Sequence, residues 1–220
     1  IRSARVTHRG DIRADADARW MPFEAVQYYS SAPPAFVWHA DVEAAPLISM
    51  DVRDYYLRGR GDITGRLASV IPVVHEKGPQ IDQGSGLRLL SELIFIPTAL
   101  LEPYITWEPI DDRQARVTMQ HWDGEISAIF GFGEDGRVEM IVGDRYRATN
   151  GHYELAKWST PIADYMEVDG FKVPTGGSGI WHLDTGAFEY VRLNVLTVDF
   201  GVAERLSSEK RGADKLHAAG

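Results

Sequence analysis

Cysteine is absent from the 220 residues, which excludes thiol catalysis, cysteine-ligated zinc and a disulfide framework. Long apolar runs are absent as well. The longest candidate, Leu87 to Leu101, is broken by Arg88, Ser91, Glu92, Pro97 and Thr98, and nothing approaches the ~18 residues of a membrane span, so no integral membrane span is expected in this chain. Basic charge is scarce: 23 Lys and Arg stand against 32 Asp and Glu, a net charge of −9. Polyanions are repelled on average, and no nucleic-acid partner is expected. No fixed repeat and no Pro-, Ser- or Gly-rich linker divides the chain. Residues 1–200 therefore read as one domain, followed by a polar stretch, 201–220, expected to be a frayed helix or tail. The chain opens on Ile1 rather than Met, so an upstream segment is expected, with cytoplasm and cell envelope both open as compartments.

What is present suits a globular domain. Hydrophobic residues make up 44% and charged ones 25%, and a unit of this length buries roughly 70% of its unfolded surface without a covalent or metal staple. The dominant period is two. Ile48, Met50, Val52 and Tyr56 share one parity against Ser49, Asp51 and Arg53. The same alternation recurs in Ala115-Val117-Met119, Ile126-Ala128-Phe130-Phe132 and Val138-Met140-Val142. Trp122-Asp123-Gly124-Glu125 and Glu134-Asp135-Gly136-Arg137 place Asp-Gly between such segments, a strong hairpin signal. Further strands are expected at 4–13, 23–30, 36–42, 62–70, 105–108, 145–148, 153–157, 171–173, 178–183 and 188–200, with a turn at 163–166. Only Asp82 to Leu101 reads as helical: Leu87, Leu90, Leu93 and Ile94 recur at helical spacing, Asp82 is placed to cap the start, and Pro97 to end or kink it. The expected class is mainly β, a curved antiparallel sheet, or half-barrel, wrapped around one main helix.

Several chemical-looking patterns reduce to structure. Gly131-Phe132-Gly133-Glu134-Asp135-Gly136 satisfies G-x-G-x-x-G, yet strands flank it on both sides where a dinucleotide loop needs a following helix. The seven histidines show no metal-ligand spacing, no nucleophile elbow is present, and neither a metal nor a cofactor is implied. The helix holds the informative pair. Arg88 and Glu92 lie one turn apart on one face of an otherwise apolar helix, and Asp54 shares strand parity with inward-facing residues. Buried charges are costly unless paired, so Asp54, Arg88 and Glu92 are expected to form a polar cluster beneath the helix. That cluster either seats the helix or lines a cavity. Six tryptophans and nine tyrosines add a large aromatic payload, which serves as core or as a pocket wall.

The order of residues resembles a bacterial family of unassigned function, DUF6544 (formerly DUF6920). The resemblance runs through Arg9-Gly10-Asp11-Ile12-Arg13, Trp20 with Phe23-Glu24-Ala25-Val26-Gln27, Phe36-Val37-Trp38-His39-Ala40 and Val52-Arg53-Asp54-Tyr55-Tyr56. It continues through Arg88-Leu89-Leu90-Ser91-Glu92, Pro97-Thr98-Ala99-Leu100-Leu101, Trp107, Asp144-Arg145, Trp158, Gly170-Phe171-Lys172-Val173-Pro174 and Trp181. His8 stands where members often carry a Gln. More weakly, the meander, single long helix and late Gly-to-Pro segment resemble the lipoprotein-carrier (LolA/LolB-like) half-barrel. That resemblance implies a space between helix and sheet for an acyl chain or other hydrophobic ligand.

The expected function is thus binding of a hydrophobic or lipid-like small molecule between helix and sheet. Trp38, Tyr56, Trp107, Trp122, Trp158 and Trp181 are expected as the apolar wall, with Arg88, Glu92 and Arg145 as polar contacts. One alternative is acid/base chemistry on an apolar substrate, such as cyclisation, isomerisation or hydrolysis. There Glu92 or Asp54 is the general acid or base, and Arg88 or Arg145 stabilises developing negative charge. A third is a protein-interaction module using a sheet edge or aromatic patch.

Overall fold

A computed structural model describes residues 1–202 apart from 123 and 150; the expected C-terminal helix or tail lies, from 203 onward, outside the described residues. The first six strands form an antiparallel meander: β1 (Ser3–Ile12), β2 (Met21–Ser31), β3 (Pro34–Ala45), β4 (Ile48–Leu57), β5 (Arg60–Leu67) and β6 (Ile71–Lys77). Helix α1 (Pro79–Glu92) follows, with two 3₁₀ turns, Leu93–Phe95 and Pro97–Leu101. A second meander contains β7 (Ile105–Asp111), β8 (Gln114–His121), β9 (Gly124–Phe132), β10 (Val138–Thr149) and β11 (His152–Pro161). A small hairpin, β12 (Tyr165–Val168) and β13 (Phe171–Pro174), stands apart, and β14 (Gly176–Leu183) and β15 (Gly186–Phe200) complete the main sheet.

The thirteen strands pair in the order β6-β5-β4-β3-β2-β1-β15-β14-β11-β10-β9-β8-β7. The pairing of β1 with β15, from Ala4 opposite Phe200 to Ile12 opposite Val191, joins an N-terminal arm to a C-terminal arm. The sheet curls through 257° into a half-barrel, and α1 lies in its hollow, packed on β5 from one arm and on β9 and β10 from the other. Leu87, Leu89, Leu90 and Leu93 are fully buried there, against Tyr29 and Phe36 on one side and Met119, Phe130 and Ile141 on the other. Each such aliphatic side chain contributes roughly 1.5–3 kcal/mol of burial. Gly143 permits the approach on β10, because a Cβ there would come within 2.9 Å of Leu87 Cδ2.

The helix differs from the sequence expectation at both ends. It begins at Pro79 rather than Asp82, since a proline in the first turn needs no amide partner. Asp82 is not the cap: its carboxylate accepts from the Gly61 amide (2.8 Å) and from Arg60 (2.9 Å), tying the first turn to the start of β5. The α-helix stops at Glu92, and Ile96 is extended (φ −127°, ψ 74°) because Pro97 disfavours helical geometry in the residue before it. Segments 138–142 and 145–148 are one continuous strand, the stretch expected as a turn at 163–166 gives way to β12, and β6 was not foreseen. Ile71, Val73 and their neighbours in β6 are exposed on this edge strand and interrupted by Pro72, so no inward period marks them. The G-x-G-x-x-G stretch is the β9–β10 connection. Among the described residues, no helix is long and apolar enough to cross a membrane.

Candidate functional site

Between α1 and the concave face lies a cavity of about 360 Å³, walled mainly by apolar groups from both arms and the helix. Trp38, Trp158, Trp181, Asp54, Arg88, Glu92 and Arg145 all line it. Three residues expected in the wall do not. Tyr56 is buried beneath the helix, its hydroxyl 3.0 Å from where a Cβ on Gly86 would stand. Trp107 belongs to the edge strand β7, is 40% exposed, donates from Nε1 to the Leu100 carbonyl (2.9 Å) and packs edge-on to Phe130. Trp122 sits in the β8–β9 turn with φ 41° and is 53% exposed. Strand parity assigns a face, but it does not say which part of that face the helix covers, nor that a turn has left the sheet.

On the N-terminal arm, register aligns Gln27 on β2, Trp38 on β3 and Asp54 on β4 in one cross-strand row. Arg88 comes down over this row from the helix. Its Nη1 donates to Asp54 Oδ2 (2.7 Å), its Nε to Glu92 Oε1 (2.8 Å) and its Nη2 to Gln27 Oε1 (3.2 Å). The guanidinium carbon lies 4.8 Å from the Phe36 ring centroid and 5.2 Å from that of Trp38. Glu92 is equally occupied, since Oε2 accepts from Gln27 Nε2 (2.7 Å) and from the Tyr29 hydroxyl (3.2 Å). Asp54, Arg88 and Glu92 thus meet as one network, to which Gln27 and Tyr29 also belong. The residues that sequence reasoning left out share parity with buried neighbours: Gln27 with Phe23, Ala25 and Tyr29, and His8 with Ala4 and Val6.

Charge and burial compete here. Burial alone would lower the pKa of Arg88, but the charges of Glu92 and Asp54 outweigh it and hold the group well above its ordinary value. Burial raises the pKa of Asp54 even though Arg88 pulls the other way, and Asp54 Oδ1 has no hydrogen-bond partner among the described residues. Tyr29 is pushed well up, first by burial and then by the Glu92 charge. His8 accepts a hydrogen bond at Nε2 from Trp38 Nε1 (2.8 Å), so its neutral ring carries the proton on Nδ1. Burial, reinforced by Arg88, lowers its pKa to about 3.

The C-terminal arm presents a different surface. Trp158 on β11, Trp181 on β14 and Phe188 on β15 form a cross-strand aromatic row. Arg145, two residues past Gly143 on β10, reaches over it: its guanidinium carbon lies 5.2 Å from the Trp158 ring and 5.7 Å from the Trp181 ring. Nε donates to the Gly84 carbonyl of α1 (2.9 Å) and Nη1 to the Tyr190 hydroxyl (2.9 Å). Among the described residues no group of three or more His, Asp or Glu is placed to hold a metal ion.

Two solved structures are similar to the chain. One is a putative outer membrane lipoprotein-sorting protein domain from Vibrio parahaemolyticus, 9% identical, with a TM-score of 0.49 over 97% of this chain and 90% of that one. The other is a LolA superfamily protein from Nitrosomonas europaea, 10% identical, with a TM-score of 0.48 over 90% of this chain and 84% of that one. No curated protein matches the sequence. A family model does, over residues 1–193, and with that match across most of its length the chain belongs to DUF6544, a family of unknown function.

Proposed function

We propose that the protein binds a hydrophobic or lipid-like small molecule in the cavity between α1 and the sheet. The observation that carries this reading is the cavity itself, about 360 Å³ of space walled largely by apolar and aromatic side chains. That volume falls within the range of roughly 300–1,000 Å³ usual for small-molecule sites, which pair an apolar wall with a few fixed polar groups. Empty space of this size between packed elements costs stability, and a bound apolar molecule offsets the loss.

The test is native against denatured mass spectrometry of protein purified from cells, followed by solvent extraction and titration of the stripped protein with the neutral fluorophore N-phenyl-1-naphthylamine. A reproducible native mass increment that extracts into solvent, and saturable one-to-one dye binding competed by that extract, are expected. A stripped protein that binds no apolar probe overturns the reading. Thr160→Trp, which fills part of the wall, is expected to weaken dye binding while the circular dichroism spectrum persists.

A second reading, acid/base chemistry on an apolar substrate, is favoured by one atom. Asp54 Oδ1 has no partner among the described residues and its carboxyl pKa is raised by burial, whereas both oxygens of Glu92 are engaged. Extracts of the wild type and Asp54→Asn decide it: a chemically different molecule in the variant supports turnover, and identical molecules speak against it.

A further inference from the structure

We propose that the cavity takes an amphiphile with an oxyanion head group, a carboxylate or a phosphate ester, held by Arg145 and Tyr190. This rests on the binding reading above and names the ligand class for the same site. Four arginines line the cavity, and two of them are neutralised by ion pairs. Arg88 is neutralised by Asp54 and Glu92. Arg147 pairs with Glu154 at 3.3 Å. Arg13 donates to two backbone carbonyls, Glu189 (2.8 Å) and Ala16 (2.7 Å), and lies over the rings of Trp20 and Phe188. Arg145 shares with Arg13 the lack of a carboxylate within ion-pair distance, and its Nη2 donors and one Nη1 donor have no partner among the described residues; it differs in that both its bonds are part-buried and one ties it to α1, whereas the Arg13 bond to Ala16 is exposed. Asp54 acts on Arg145 only through space and has its bonded oxygen committed to Arg88.

The geometry around Arg145 is fixed before any ligand arrives. One hydrogen bond ties it to the helix and one to Tyr190, and the guanidinium lies over two neighbouring indole rings, which leaves unused donors along its Nη1/Nη2 edge. Such an edge matches the two oxygens of a carboxylate or phosphate. Tyr190 strengthens the match. Its oxygen accepts from Arg145, which turns its own proton away, and that proton has no acceptor among the described residues although the side chain lines the cavity. Gly179 makes room for it: a Cβ there would stand 2.7 Å from the Tyr190 ring. A head group held at this point leaves the apolar chain to run along the rest of the cavity.

The experiment titrates stripped protein with palmitate, hexadecyl phosphate and hexadecanol, which share one chain and differ in head group, each by displacement of N-phenyl-1-naphthylamine. Wild type is expected to prefer at least one of the anions over the alcohol by about tenfold or more, as charge-assisted bonds to an oriented guanidinium imply. Arg145→Met, folded as judged by circular dichroism, is expected to bring that ratio close to one, and Tyr190→Phe to reduce it several-fold. Whichever anion binds more tightly identifies the head group. A wild-type ratio near one overturns the head-group assignment and leaves the binding reading standing, as does a preference that survives Arg145→Met. Failure of all three chains and of the dye overturns both.

Discussion

Arg88 and Arg145 line the same cavity, one reaching from the helix to the N-terminal arm and the other standing on the C-terminal arm, and they differ in what surrounds them. Arg88 meets two carboxylates and an amide across the Gln27-Trp38-Asp54 row. Arg145 meets a backbone carbonyl, a phenol and two indole faces. The first arrangement is closed: most of its donors and acceptors are used within the protein, in bonds that tie the helix to the N-terminal arm. The second is oriented but open. A cation held by aromatic rings and neutral acceptors is not neutralised by them, which is what the proposed head-group role rests on. Two arginines in one cavity therefore have different surroundings, set by whether counter-charges come with the fold.

Breaking the closed side has the largest expected effect. Arg88→Met strands Asp54 and Glu92 without their shared cation, and a loss of about 3–5 kcal/mol in urea unfolding is expected. The next effect is read against pH. The folded protein keeps His8 neutral down to about 3, while the unfolded chain protonates it below its ordinary 6.5. The unfolded state thus binds more protons in that window, and stability falls as pH drops, by up to about 1.4 kcal/mol per pH unit from this group. His8→Gln retains an acceptor for Trp38 Nε1 and cannot titrate, so its stability is expected to decline less steeply between pH 6.5 and 4. Asp54 contributes with the opposite sign, since its raised pKa makes the folded state the better proton binder; it is common to both proteins and drops out of their difference.

Smaller changes sharpen the comparison. Glu92→Gln leaves Arg88 its bond to Asp54 but weakens the charge-assisted bonds to Glu92, for an expected cost of about 1–2 kcal/mol in the same unfolding assay. Arg145→Met is expected to cost least, under about 1 kcal/mol, because an apolar chain of similar length still packs on Trp158 and Trp181. Should it cost as much as Arg88→Met, Arg145 belongs to the structural network after all and the contrast between the two arms dissolves.

Much of this was written locally. Asp54 was readable as inward from its parity with Met50 and Tyr56, and Arg88 and Glu92 as neighbours from their four-residue spacing. Gln27 carried the same parity signal beside Ala25 and Tyr29, yet a lone polar residue in a strand does not announce its partner. Trp107 and Trp122 show the reverse failure. Both are large aromatics in a β-rich stretch, but one lies on the last strand of the sheet and the other in a turn, and neither position has a second layer to bury it.

The sequence by itself determined the alternation that makes strands, the Asp-Gly hairpins, the single helix and its polar pair, because these follow from steric and hydrogen-bonding preferences within a few residues. Only the tertiary structure decided that β1 pairs with β15, that the curled sheet leaves a cavity beside α1, and that Arg145 lines it with no carboxylate in ion-pair contact among the described residues. Those outcomes depend on which residues distant in the chain arrive next to one another, and on the carboxylates that do not.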